Sequence, residues 1–301
     1  MHAIGIGQCS WDYLALVAHY PEPDTKVEVS SLVEQGGGPV ATACVALSRL
    51  GAVATFHGVT GDDDAGRKII QSLEAEGVNA SSVVRREGAD SQVAFITVES
   101  SSARRTIYWK RPTGNPLLPD ELPENFLDGA DILMLDGLMD EVSLHAAKLA
   151  SGFGVPVMVD AGRVRDGMLE LCEMADYVVG SEEFARQLGF DGSGGDGFFL
   201  DLASRFKGVL TITLGAKGSV TVYKGGIIRL PAYEVSAIDT TGAGDAFHAG
   251  FAFGVMSDMD MESTLRFAGV TAALSCRGLG GRAFLPARED VEIALRSFLK
   301  Q

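Results

Sequence analysis

Short apolar runs rich in branched residues recur along the chain, separated by segments whose apolar positions repeat at helical spacing. The runs are HAIGIG (2–7), DILMLDG (131–137), VPVMVDA (155–161), DYVVG (176–180) and GVLTITLG (208–215). Their length suits strands buried on both faces, and helices between them would cover such a sheet, so a mostly parallel α/β arrangement is expected. The clearest helices are VATACVALSRLG (40–51), closed by Gly51, and DDAGRKIIQSLEAEGV (63–78), closed by Gly77. Further helices are expected over 141–152, 182–188 and 196–206.

Two regions break this rhythm. Residues 13–35, with KVEVSSLVEQ, and 92–110, QVAFITVESSSARRTIYWK, alternate like antiparallel strands and hairpins. Together they predict a small sheet standing off the main domain as a lid. A third hairpin, SVTVYKGGIIRLP (219–231), turns at Gly-Gly and belongs at the edge of the main sheet, while DGSGGDG (191–197) is a connection. No internal repeat appears, and a single domain over 1–301 is expected.

Charge narrows the partners. With 25 basic and 40 acidic residues the net charge is −15, and no dense basic run interrupts it. Nucleic acid and anionic membranes are therefore excluded as expected partners, and an anionic ligand needs a local binding device. The four cysteines, Cys9, Cys44, Cys172 and Cys276, form no CxxC pair, which points to reduced thiols rather than disulfides or zinc. The N-terminus shows no basic leader, and no apolar run approaches the roughly 20 residues of a membrane span. A cytoplasmic protein is the expectation.

The local device lies in DTTGAGDAF (239–247). Small residues in TGAG let the backbone turn tightly and aim successive N–H groups at one point, and DAFHAGFAFGVM continues as an apolar helix. The N-terminus of that helix carries unpaired donors and partial positive charge, and so attracts anions. A carboxylate at Asp245 beside an anion site makes little sense as a ligand for the anion and good sense as a base. A hydroxyl attacking a γ-phosphate needs its proton accepted and the developing charge stabilised, and GAGD supplies both.

As a whole, DTTGAGDAFHAGF resembles the C-terminal signature of the ribokinase family, also called PfkB carbohydrate kinases. GGGPVATACVALSRLGA (36–52) is similar to the family's second element, a double glycine opening a helix that ends in Leu-Gly. The resemblance covers nearly the whole chain and implies a three-layer α/β/α sandwich with a mostly parallel central sheet and a small β-sheet lid. It makes Asp245 the catalytic base, with Gly242, Ala243 and Gly244 as the anion hole, and places the sugar against Asp12, Gly37, Gly38 and Thr42. The glycines there would let substrate approach the backbone closely. Asp24 and Lys26 fall where the lid begins and would meet the far end of the substrate. The family's TLGxxG segment is matched by TLGAKG, giving Thr213, Gly215, Lys217 and Gly218 as ATP contacts with Ser181, and Asp239 and Thr241 match a monovalent-cation position, potassium in the implied form. ATP and Mg²⁺ are the implied cofactors, and a homodimer paired through the lid covers its exposed strand edges.

The sequence departs from the family pattern at two places. Thr42 stands where an asparagine usually contacts the sugar. The Asn-x-x-Glu motif that orders magnesium appears as GSEEF, with Ser181 and Phe184, leaving Glu182 or Glu183 to act on Mg²⁺ through water. The serine form and CRGLGGRAFLP (276–286) look like the branch holding ketohexokinase-like enzymes and sulfofructose kinase, which implies a ketose phosphorylated at a primary hydroxyl. An acidic substrate group would meet Lys26, Lys110, Arg111 or Arg163. Two alternatives are a nucleoside kinase, with Trp11, Phe95 and Trp109 as candidate aromatic contacts, and a catalytically weak sugar or nucleotide sensor. GIGQCS lacks the third glycine of a dinucleotide fingerprint, and no GxxxxGK[ST] occurs.

Overall fold

The computed structural model describes residues 1–193 and 195–298. In chain order the strands are β1 (His2–Ile6), β2 (Ser10–Val17), β3 (Ser31–Gly37), β4 (Val53–His57), β5 (Val59–Gly61), β6 (Val84–Arg86), β7 (Val93–Glu99), β8 (Arg105–Lys110), β9 (Ile132–Leu135), β10 (Val157–Ala161), β11 (Tyr177–Ser181), β12 (Val209–Thr213), β13 (Ser219–Tyr223) and β14 (Gly226–Leu230). The helices are α1 (Pro39–Arg49), α2 (Asp64–Ala75), α3 (Asp140–Phe153), α4 (Met168–Met174), α5 (Glu182–Gln187), α6 (Asp196–Ala203), α7 (Ala243–Met256), α8 (Met261–Ser275) and α9 (Arg288–Phe298).

The main sheet runs β14-β13-β12-β11-β10-β9-β1-β4, parallel from β12 to β4, with the hairpin β13–β14 added antiparallel at one edge. Alternate side chains feed two separate cores, as the period of two requires. Ala3, Ile132, Met134, Met158 and Val179 join α1, α2, α7, α8 and α9 on one face. Ile4, Leu133, Leu135, Val157, Val159 and Val178 join α3, α4, α5 and α6 on the other. Three layers result, and ligands of such sheets gather beyond the carboxyl ends of the strands. No helix among the described residues is long and apolar enough to cross a membrane.

A second sheet, β3-β2-β7-β8, has its own small core of Leu14, Ala94, Ile96 and Val98. Its strands correct the expected boundaries. The first begins at Ser10, and residues 18–30, including KVEV, form no strand, so Asp24, at φ 62°, and Lys26 lie in an exposed connection. Strand β4, the short pair β5–β6, and helices α4, α8 and α9 add to the elements expected from the sequence.

Candidate active site

Pairing in register lines up the strand ends. Ala161 lies opposite Gly180, and Ser181 opposite Thr213, so β10, β11 and β12 finish together. Asp136, just past β9, accepts hydrogen bonds from the amides of Gln8 (2.8 Å) and Leu138 (3.0 Å) and so ties the exits of β1 and β9 together. Burial pushes its carboxyl up to about 7 despite those two donors, and the charge of Asp160 on the neighbouring strand adds to the shift.

Helix α7 starts over this row. Its N-cap, Gly242, is left-handed at φ 75°, and a Cβ there would lie 2.6 Å from the Gly281 Cα, so only glycine lets the turn close on the 280–282 loop. Asp239 holds the turn from below: one carboxylate oxygen accepts from the Thr241 amide (2.8 Å) and hydroxyl (2.7 Å), the other from the Gly280 amide (2.9 Å). Ala243, Gly244 and Asp245 form the first helical turn, where backbone donors lack helical partners. Gly244 is exposed, and a Cβ on it would meet nothing within 4 Å.

Asp245 is half-buried, and none of the described side chains donates a hydrogen bond to it. Burial first, then the charge of Asp160, push its carboxyl well above the ordinary carboxylate range, while Arg105 and Arg282 pull it down. A carboxyl so poised can take a proton from an alcohol. His248, one turn on, pins the helix to the sheet: Nδ1 lies 2.6 Å from the Gly244 carbonyl, Nε2 3.0 Å from that of Val179 and 3.5 Å from Asp160 Oδ1.

In the small sheet, Asp12 is buried at the start of β2 and accepts from the Ser10 hydroxyl at 2.7 Å. Burial raises its carboxyl, opposed by Ser10 and by the Arg282 charge. Gly37 and Gly38 serve packing as well as access. A Cβ at Gly37 would fall 2.0 Å from Asp12 Oδ2, and one at Gly38 (φ 98°) would fall 2.2 Å from the Gln8 carbonyl. Thr42, on α1, accepts from Nε of the buried Arg282 at 3.2 Å.

TLGAKG forms a 3₁₀ turn, Gly215–Lys217, between β12 and β13, with Thr213 bonded to the Gly180 carbonyl (3.2 Å) and Lys217 exposed. Ser181 caps α5 by accepting from the Phe184 amide (3.1 Å) and donates to Gly162 (2.7 Å). The structure does not gather Glu182 and Glu183 into a metal site: they pair along α5 with Arg186 (2.7 Å) and Gln187 (3.1 Å), and Phe184 is core. Among the described residues no group of three or more His, Cys, Asp or Glu could hold a metal.

These elements compare directly with known proteins. The profile of the pfkB family carbohydrate kinases matches residues 3–288. The chain belongs to the PfkB carbohydrate kinase family. It is 27% identical over 287 residues to an ATP-dependent ribose-1-phosphate kinase of Halopiger xanaduensis, covering 94% of each chain. It is 28% identical to the ribokinase of Bacillus subtilis (95% of this chain, 97% of that one) and 26% to fructokinase-1 of Oryza sativa subsp. japonica (96% and 95%). A crystal structure of ribokinase from Thermotoga maritima superposes with a TM-score of 0.81 at 25% identity, covering 98% of this chain and 99% of that one.

Of the cations considered in this PfkB kinase for an acidic substrate, Lys110 pairs with Asp90 at 2.5 Å, Arg111 stacks on Trp109 at 4.6 Å, and Arg163 borders a cleft with Asp136, Leu138 and Asp160. Two other arginines come nearer the chemistry. Arg105, on β8, donates from Nη1 to the Thr240 hydroxyl at 2.9 Å, reaching from the small sheet to the anion turn. Nothing in SSSARRTIYWK marks it, because its partner is 135 residues away. Arg282 lay within CRGLGGRAFLP, where only the burial of its side chain sets it apart. Arg105→Gln is expected to lower kcat about tenfold, the loss of one charge-assisted hydrogen bond, with KM for sugar changed far less. Steady-state kinetics check this: an unchanged kcat removes Arg105 from the machinery.

Proposed function

We propose that this PfkB kinase transfers the γ-phosphate of ATP to a primary hydroxyl of a ketose or ketose derivative. The observation that carries the reading is the placement of Asp245 in the first turn of α7, within the field of Arg105 and Arg282. ATP supplies the phosphoryl group, and Mg²⁺ neutralises its phosphates. Magnesium in such sites keeps much of its hydration shell, so Glu182 or Glu183 would act on it through water. A monovalent cation near Asp239 would share its carboxylate with the Thr241 and Gly280 amides that already donate to it.

Asp12 accepts hydrogen bonds from the sugar hydroxyls and fixes the acceptor. Asp245 takes the proton of the attacking hydroxyl, and the Gly242–Asp245 amides hold the charge that develops on the transferred group. The small sheet acts as a lid, with Arg105 closing over the anion turn and excluding water. Nucleotide contacts fall to Ser181, Thr213, Gly215, Lys217 and Gly218 at the neighbouring strand ends. A ketose is favoured by the resemblance of GGGPVATA and CRGLGGRAFLP to the ketohexokinase-like branch, and Thr42, where the family's usual asparagine would contact the sugar, alters the hydroxyl pattern recognised.

A nucleoside acceptor is the second reading. Strand register places Trp109 opposite Ala94 and Ala94 opposite Asp12, so this half-exposed indole shares a sheet face with Asp12 and offers a base a stacking surface. Trp11 instead donates to Glu34 at 2.9 Å, and Phe95 stacks with Tyr13 on the opposite face. ATP consumption measured across ketoses, aldoses, sugar acids, sugar phosphates and nucleosides decides. Turnover of ketoses above the rest supports the proposal, preference for nucleosides supports the second reading, and silence across the panel with ATP still bound overturns both in favour of a sensor.

The outer face of the small sheet exposes Leu32 (69%), Phe95 (55%) and Tyr108 (65%), which register places on one side. A second copy paired across a two-fold axis would cover it. Light scattering is expected to give twice the chain mass of 31.7 kDa, and a monomeric mass at working concentration overturns the dimer.

A further inference from the structure

Arg282 is 5% exposed, yet among the described residues no carboxylate lies within ion-pairing distance of it. Its hydrogen bonds all go to neutral acceptors: the amide to Gln35 Oε1 (3.3 Å), Nε to Thr42 (3.2 Å), Nη1 to Ser72 (3.3 Å) and Nη2 to the Gly37 carbonyl (3.0 Å). A buried guanidinium with only neutral contacts is costly, so a fold that keeps one uses its charge elsewhere. Its neighbours show where. A Cβ at Gly36 would lie 2.3 Å from Nη1, so the end of β3 lies directly on the guanidinium, and the adjoining Gly281 packs on Gly242 of the anion turn. The charge thus sits where the base of the small sheet meets the phosphoryl-transfer turn.

We propose that Arg282 is a positioning residue for phosphoryl transfer: without touching substrate, its unpaired buried charge acts on the carboxylates of Asp12 and Asp245 and couples the base of the lid to the anion turn. Coulomb interaction in a protein interior acts well beyond contact distance. Asp12 lies against Gly37, whose carbonyl accepts from Nη2, and Asp245 stands three residues after Gly242, on which Gly281 packs. Arg282 opposes the effect of burial on Asp12, and on Asp245 it opposes both burial and Asp160. The other groups that face this charge are Cys9 and Cys44, both buried thiols pushed up to about 12, and Glu76, already paired with Arg49 at 2.6 Å; Arg105 shares its action on Asp245.

The inference rests on Asp245 being the base, and the test separates the two. With the sugar that is turned over, kcat/KM is followed against pH for the parent, Asp245→Asn, Arg282→Gln, Arg282→Lys and Ser72→Ala. The acid limb of Arg282→Gln should move up by about one pH unit, with the loss recovered as pH rises, while Arg282→Lys and Ser72→Ala leave the limb in place. A loss in Arg282→Gln that is equal at every pH overturns the proposal, as does a limb moved equally by Arg282→Lys or Ser72→Ala. If Arg282→Gln fails to fold, the limb of Arg282→Lys decides alone: in place it supports a role of charge, and shifted it overturns it. An Asp245→Asn protein with parental kcat overturns the base assignment itself.

Discussion

Asp245→Asn should lower kcat by about 10²-fold or more while sugar binding changes little, the scale of losing a general base in the transition state. The exchange is nearly isosteric, and no described side chain donates to Asp245, so the fold loses no hydrogen bond. The parent's pH profile follows from the same residue. Its carboxyl is raised, chiefly by burial, and a base must be deprotonated, so activity falls with decreasing pH through a value above the ordinary carboxylate range. Stability runs the opposite way. A folded-state pKa raised above the unfolded one favours the fold below the unfolded pKa, and that contribution is lost as pH rises through the folded value. The asparagine variant escapes this loss, so its melting temperature relative to the parent should rise with pH. A near-parental kcat, or an acid limb at the value of a free carboxylate, contradicts the role.

Gly242→Ala is expected to cost on the order of 10²-fold in kcat and to lower the melting temperature. The N-cap conformation at φ 75° and ψ 0° penalises any Cβ, by roughly 1–2 kcal/mol. The added methyl would also lie 2.6 Å from the Cα and 2.8 Å from the carbonyl oxygen of Gly281, and backbone atoms cannot rotate aside. The turn must shift, and displacement of the charge-holding amides on an ångström scale costs about this much rate. Gly244→Ala makes the internal comparison: with nothing within 4 Å of its Cβ, it should melt like the parent. If Gly242→Ala matches the parent in rate, the turn is not the anion hole.

The alternation of strands and helices was legible because most core strands are buried on both faces and bounded by glycine, and α7 was legible because its turn is continuous in sequence. Strand β4, VATFH, was not: at five residues with Val53 exposed, it becomes a strand only by pairing with β1. The reach of the small sheet was overdrawn, since KVEV alternates as a strand would but finds no neighbour to pair with. Asp12 and Asp245 could be named as candidates from local motifs. Arg105 and Arg282 could not, because each takes its meaning from partners more than 130 residues away, Thr240 for one and Gly37 and Thr42 for the other. Acidic residues in a first turn also satisfy the helix dipole, and Glu182 and Glu183 pair within α5.

The small sheet keeps part of its apolar side chains to itself, while Trp11, Tyr13 and Val93 at its base pack on the core that holds α1 and α2. Leu14, Ala94, Ile96 and Val98 form a core separate from the two that flank the main sheet. Swinging this sheet away therefore costs the first core only the contacts of Trp11, Tyr13 and Val93 and leaves the second intact, so the molecule has two tiers of resistance to opening. The amides of β7 belong to the weaker tier and those of β9 and β10 to the stronger. Exchange with solvent deuterium reads that difference directly, and a ligand that bridges Asp12 and Asp245 would draw the weaker tier up towards the stronger.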